Sequence, residues 1–131
     1  MLNYNPDNND LKTNLFIIKT KLMQETEFIK LFLQIINHIA DEVDIKSNYE
    51  YEIDITDESL SIETKQGIFL INRQIILKEI WLSSPISGPH HFTYKNISNN
   101  EQDNFQWVNK NNINIFSILR SEIKLPIDNI Q

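Results

Sequence analysis

Apolar residues recur at helical spacing from Phe28 to Val43, change to alternation from Glu50 onward, and return to helical spacing after Asn112. Phe28, Leu31, Phe32, Ile35, Ile39 and Val43 follow the 3.6-residue period, which predicts a first helix over Thr26–Asp44 with one core-facing stripe. Thr26 is placed to cap it, and Glu27 just inside complements the partial positive charge of a helix start. Tyr51, Ile53 and Ile55 alternate with Glu50, Glu52 and Asp54, as on a half-buried strand. Leu60 and Ile62 continue the alternation, and Lys65-Gln66-Gly67 reads as a hairpin turn in which Gly67 supplies a positive φ. Phe69 and Ile71, then Ile80 and Leu82, point to the same interior, and two short strands follow at His91–Tyr94 and Gln106–Val108. The Asn-rich stretch from Asn96 to Asn104 reads as a floppy loop. A second helix is expected from Asn112 to Lys124, with Ile115, Phe116, Leu119 and Ile123 as its stripe and Pro126 as its stop. Helix, antiparallel meander, helix predicts an α+β fold: a two-layer sandwich with both helices on one sheet face.

The other face of that sheet should then be open to water. Its residues are unusual for a merely solvated surface. On the parity that leaves Phe69, Ile71, Ile80 and Leu82 inside, Leu70, Asn72, Gln74 and Trp81 point outward. Trp gives a large contact area at low entropic cost, and Asn and Gln can bond a partner's backbone. This set therefore predicts a protein-docking face, the alternative being a Trp81 packed under a loop. Arg73 lies on the opposite parity, toward the helix layer or a strand end.

Composition narrows the chemistry. The 131 residues are 40% hydrophobic, enough for one packed core. No run of about 18 apolar residues suggests a membrane span. Cysteine is absent, which removes disulfides, thiolate nucleophiles and thiolate metal ligands. Residues 1–22 stand apart as a disordered or weakly ordered extension preceding a domain at 23–131. They hold Lys12, Lys19 and Lys21 around the apolar patch Leu15-Phe16-Ile17-Ile18, but no Arg, and they carry Asp7 and Asp10, unlike a mitochondrial presequence.

The net charge of −6 is uneven: from Glu25 to Glu63 eleven acids face only Lys30 and Lys46, giving −9 and leaving +3 elsewhere. An acidic half repels nucleic-acid phosphates and suits cations or a basic protein. Asp41, Glu42 and Asp44 gather at the end of the first helix, where the dipole makes acids unfavourable by about 0.3–1 kcal/mol each. Glu50, Glu52 and Asp54 follow on the next strand, edge-on to the same ridge. Exposed carboxylates are hard ligands that suit Fe(II) or Fe(III), weakly and exchangeably in the absence of a closed cage. The same acids would also serve as a solubilising edge. Of the histidines, His38 reads as a boundary residue of the first helix. His90 and His91 lack the spacing of a zinc site, His91 being the one placed for a partner contact.

Ile71-Asn72-Arg73-Gln74, Glu79-Ile80-Trp81-Leu82-Ser83-Ser84-Pro85, Ser87-Gly88-Pro89 and His91-Phe92, with Gly67 and Trp107, resemble the frataxin family over roughly Thr26 to Ile127. The resemblance implies an iron-binding regulator of iron–sulfur cluster assembly that docks on the cysteine desulfurase–scaffold complex. It implies iron at Asp41, Glu42, Asp44, Glu50, Glu52 and Asp54, and partner contacts at Leu70, Asn72, Gln74, Trp81 and His91. It implies a monomer or an iron-dependent oligomer, in the mitochondrial matrix of a eukaryote or the cytoplasm of a bacterium. Ile45, Ser47 and Asn48 stand where members often have further acids, which implies fewer irons. Two alternatives remain open: a ferroxidase acting on the acidic ridge, and a metal-free acidic adaptor. Neither membrane nor nucleic acid is expected as a partner.

Overall fold

A computed structural model describes residues 23–130 of the chain. Helix α1 spans Glu25–Lys46 and buries Phe28, Phe32, Ile35, Ile36, Ile39, Ala40 and Val43, the stripe that its apolar period prescribes. It begins two residues earlier than the capping pattern suggests. Gln24 is the N-cap, without a side-chain bond, and Thr26 lies exposed within the first turn. Glu25 and Glu27 supply negative charge there instead. The helix also runs two residues beyond Asp44 and ends where Asn48 and Tyr49 take left-handed φ values of 55° and 60°.

Six strands follow: β1 (Glu52–Ile55), β2 (Ser59–Thr64), β3 (Gly67–Gln74), β4 (Glu79–Ser84), β5 (Gly88–Asn96) and β6 (Phe105–Val108). They form one antiparallel sheet in chain order. Helix α2 spans Ile115–Ile123. Its start is later than the expected Asn112, because Asn109 organises a preceding turn. The Asn109 Oδ1 atom accepts from the amides of Asn111 and Ile113 at 2.9 and 3.0 Å, and Asn112 is itself left-handed. Asn114 then caps the helix, its Oδ1 accepting from Phe116 N at 2.7 Å.

Both helices cover one sheet face. Leu60, Ile62, Phe69, Ile71, Ile80, Leu82, Phe92 and Trp107 join the two helix stripes in a single buried cluster. The two edge strands depart from clean alternation: before and in β1, Tyr51 and Ile53 are half-buried and Ile55 is exposed, and in β6 the adjacent Trp107 and Val108 are both buried. The stretch expected to be a floppy loop is instead held by its own amides. The Asn96 Oδ1 atom accepts from Ser98 N and Asn104 N at 3.0 and 2.9 Å, and its Nδ2 donates to Asp103 at 3.0 Å.

The C-terminal segment closes the helix layer. Ile127 is buried. Three side chains one turn apart on α1 grip the backbone around it. His38 Nε2 donates to Asp128 O at 2.7 Å, Glu42 Oε1 accepts from Asp128 N at 2.6 Å, and Lys46 Nζ donates to Pro126 O at 3.2 Å. Arg120 donates to Ile127 O at 2.9 Å from the other side.

Two turns meet at one end of the sheet. Gly67 has φ +131°, and a Cβ there would stand 2.8 Å from the Pro85 Cβ in the β4–β5 turn. That turn is tied from within: buried Ser84 donates to Glu122 Oε1 at 2.5 Å and accepts from Ile86 N and Ser87 N. Gly67→Ala meets both an unfavourable φ and a rigid ring, and is expected to cost about 1–3 kcal/mol. Urea unfolding should show a correspondingly lower midpoint, and an unchanged midpoint would mean that the two turns do not press on each other.

Candidate functional site

Strands β3, β4 and β5 bring three polar or aromatic side chains into one row on the uncovered face. Asn72 is the register partner of Trp81, and Trp81 of His91. The immediate neighbours of the indole along β4, Ile80 and Leu82, are buried in the core, so the pleat turns Trp81 away from the helices. The indole and the His91 imidazole lie parallel, with centroids 4.0 Å apart and planes 6° from coplanar. Trp81 Nε1 donates to Glu79 Oε1 at 2.9 Å, and Gln74 Nε2 donates to Asn72 Oδ1 at 3.3 Å. Gln74 and Glu79 are themselves register partners. The ring is thus held from two sides before any partner arrives, which lowers the entropic cost of using it as an anchor.

Leu70 extends the row toward the neighbouring strand position, 36% exposed opposite Ser83, with Ile68 more exposed beyond it. The five residues expected to meet a partner, Leu70, Asn72, Gln74, Trp81 and His91, therefore share one surface. Arg73 points the other way. It is half-buried opposite Ile80, and its guanidinium lies 3.7 Å from Glu58. His90 is also on the inner parity, 2.6 Å from Ser87 Oγ and stacked on Phe92. His38 belongs to the tail clamp.

The sequence reading passed over the tip of the β3–β4 hairpin. Ile76 is 94% exposed and Leu77 57% exposed, next to Gln74 and Glu79. The signal was available: three consecutive aliphatics, Ile75-Ile76-Leu77, fall in a four-residue turn where polar residues are usual. They lie at the hairpin tip, beyond the amide end of the row.

The acids divide between layers rather than forming one continuous ridge. Asp41 and Asp44 stand on the last turns of α1. Glu42 lies between them but is turned to the C-terminal segment, bonded to Asp128 N and 3.8 Å from Lys46 Nζ. Unlike its two neighbours, its carboxylate is engaged in closing the fold. Glu50 is exposed in the connection to β1. Glu52 faces Glu63 across the β1–β2 pair, and Asp54 faces Ser61, which faces Leu70. Register thus places Asp54 on the same sheet face as Leu70 and Trp81, and Glu52 with it, so the strand acids border the face that carries the aromatic row. Like charges directly opposite, as at Glu52 and Glu63, disfavour the pair and favour a cation or basic group nearby. Among the described residues, no three His, Asp or Glu side chains come close enough to enclose a metal ion. What the carboxylates offer is open, hard-oxygen contact, one or two at a time.

The three helix acids should separate in a stability measurement. Glu42→Ala removes the acceptor of a tail amide and is expected to cost about 1–3 kcal/mol. Asp41→Asn and Asp44→Asn relieve the helix end and should be neutral or stabilising by about 0.3–1 kcal/mol. Equal losses at all three positions would contradict the assignment of Glu42 to the tail.

Comparison with known proteins places this geometry. The family model described as a frataxin-like domain matches residues 21–129. Mitochondrial frataxin of Arabidopsis thaliana is 33% identical over 85 residues, which are 61% of this chain and 46% of that protein. The mitochondrial frataxin-like protein of Leishmania donovani is 39% identical over 49 residues, 37% of this chain and 26% of that one. The chain thus spans less than half the length of these curated relatives. Among solved structures, frataxin from Psychromonas ingrahamii has a TM-score of 0.67 at 23% identity, covering 83% of this chain and 100% of that one. Trimeric frataxin from the yeast Saccharomyces cerevisiae, complexed with ferrous iron, has a TM-score of 0.56 at 23% identity, covering 82% and 92%. At such identity the structural likeness concerns the fold: an antiparallel sheet with two helices on one side.

Proposed function

The chain belongs to the frataxin family, and on that premise we propose that it regulates iron–sulfur cluster assembly by docking its bare sheet face on a cysteine desulfurase–scaffold complex. Family membership supports an iron-related role. The observation that carries the finer reading is the Asn72–Trp81–His91 row, a braced aromatic anchor flanked by amides on a face that no element among the described residues covers. Aromatic anchors of this kind dominate interface energetics when they enter a dry pocket. Leu70 and the Ile76–Leu77 tip add apolar contact on either side of the row.

Iron enters this reading as cargo. Asp41, Asp44, Glu50, Glu52 and Asp54 are open carboxylates, suited to weak, exchangeable contact with Fe(II) or Fe(III), with water completing the coordination. Glu52 and Asp54 border the docking face, so an ion held there would lie at the rim of the partner interface. Ferrous iron in the yeast frataxin complex lends support to such binding in this chain. The chain's own residues supply docking and charge. Curated relatives from Arabidopsis thaliana and Dictyostelium discoideum are mitochondrial, which supports the mitochondrial matrix as the site of action in a eukaryotic source.

Trp81→Ala tests the docking. The indole contributes nothing to the buried cluster, so thermal unfolding should stay close to that of the parent. Affinity for the desulfurase–scaffold complex should fall by about 2 kcal/mol or more, roughly thirtyfold. Binding that survives this substitution undiminished would remove the sheet face from the interface.

A further inference from the structure

Strand β5 outruns the strand beside it. Within Gly88–Asn96, β6 pairs only with Thr93 to Asn96, whereas β4 pairs with Gly88 to Thr93. Gly88 to Phe92 therefore have β4 on one side and, among the described residues, no strand on the other. The cause is local. After Val108 the chain bends into the Asn109 turn, closed by Asn109 N donating to Ile113 O at 3.0 Å, and Asn114 then starts α2. A cleft of about 800 Å³ is left between the open edge, that turn and α2.

The open edge is a hydrogen-bonding template. The bond from Asn109 to Ile113 and the bridge joining Val108 to Asn114 lie on the side of β6 away from β5. Val108 thus directs its own N–H and C=O to its register partner Thr93, and Thr93 directs its groups back. Backbone groups alternate sides along a strand, so His91, two residues from Thr93, turns its N–H and C=O to the same side, into the cleft. Pro89 offers a carbonyl there and no donor.

The cleft walls set a side-chain pattern. Val108, Ile113 and Ile118 make it apolar toward the helix layer. Lys95 shares the outer parity of His91, and its Nζ reaches the turn, donating to Asn112 Oδ1 at 3.0 Å. Lys110 lines the same cleft. Among the described residues neither lysine has an acid at ion-pair distance. The two carboxylates of the cleft are already engaged, Glu79 by the Trp81 indole and Glu122 by Ser84. The charge left open is positive.

We propose that the open edge of β5 takes up one extended segment of the docking partner as an added strand, its apolar residues toward Ile113 and Ile118 and its acidic ones toward Lys95 and Lys110. The inference rests on the docking reading and deepens it. His91 belongs both to the outer row and to the edge, so the two surfaces are continuous. An added strand draws affinity from main-chain bonds and specificity from alternate side chains.

Hydrogen exchange at the His91 amide reads this pairing. In the free ¹⁵N-labelled chain it should be fast, and in the saturated complex with the desulfurase–scaffold assembly about tenfold or more slower. Lys95→Glu with Lys110→Glu should leave thermal unfolding close to that of the parent and weaken the complex about tenfold or more. At saturation of that variant the His91 amide should return to its free rate while Trp81 stays protected from hydroxyl radicals. A complex that is weakened by Trp81→Ala but leaves the His91 amide fast overturns this inference alone. Protection of His91 that survives the double substitution overturns it too, because docking of the row would then suffice. Slow exchange in the free chain that speeds up on dilution would assign the edge to a second copy, with the same consequence. Failure of the parent chain to form any complex overturns the docking reading itself, and the added strand with it.

Discussion

Ile71, Ile80, Leu82 and Phe92 give up almost all solvent exposure against α1 and α2, and the pleat then obliges Asn72, Trp81 and His91 to face the opposite way. Each such aliphatic contributes about 1.5–3 kcal/mol by its burial, so the register of β3, β4 and β5 is strongly fixed. A slip of one residue would exchange the whole core set for the polar set. The outward Asn72–Trp81–His91 row is therefore a consequence of core packing. Its residues need not stabilise the fold themselves, which frees them to be chosen for a partner.

The same constraint explains what is rigid around the row. Trp81 and His91 stack because they are register partners, and the indole N–H reaches Glu79 because residues two apart share a sheet face. A large exposed aromatic would ordinarily sample several rotamers. Here a cross-strand ring and a same-strand carboxylate hold it. The helix layer is closed differently, through contacts between residues 80 to 90 positions apart, with His38, Glu42 and Lys46 gripping the final segment.

That difference marks what was legible in the sequence. The strand parities, the helix stripes, the layer order and the outward Asn72, Gln74 and Trp81 follow from periods of 2 and 3.6 written into local sequence. The place of Glu42 does not, because its partner is 86 residues away and the local pattern shows only an acid among acids. The helix ends shifted for a related reason. Thr26 is a good capping residue, but Met23 and Phe28 pack on the core and draw the helix start back to Gln24. At Asn112, side-chain bonds from Asn109 made a turn that helix periodicity does not register. The Asn96–Asn104 stretch reads as featureless by composition, yet its amides supply the hydrogen bonds that order it. The expected extension at residues 1–22 lies outside the described residues.

Hydroxyl-radical footprinting, read by mass spectrometry at the two tryptophans, tests the division between covered and bare sheet faces most directly. In the free protein Trp81 should be oxidised readily and Trp107, 5% exposed, hardly at all; on binding the desulfurase–scaffold complex, Trp81 alone should become protected. Rapid oxidation of Trp107 in the free protein, or a Trp81 modified equally with and without the complex, would contradict it.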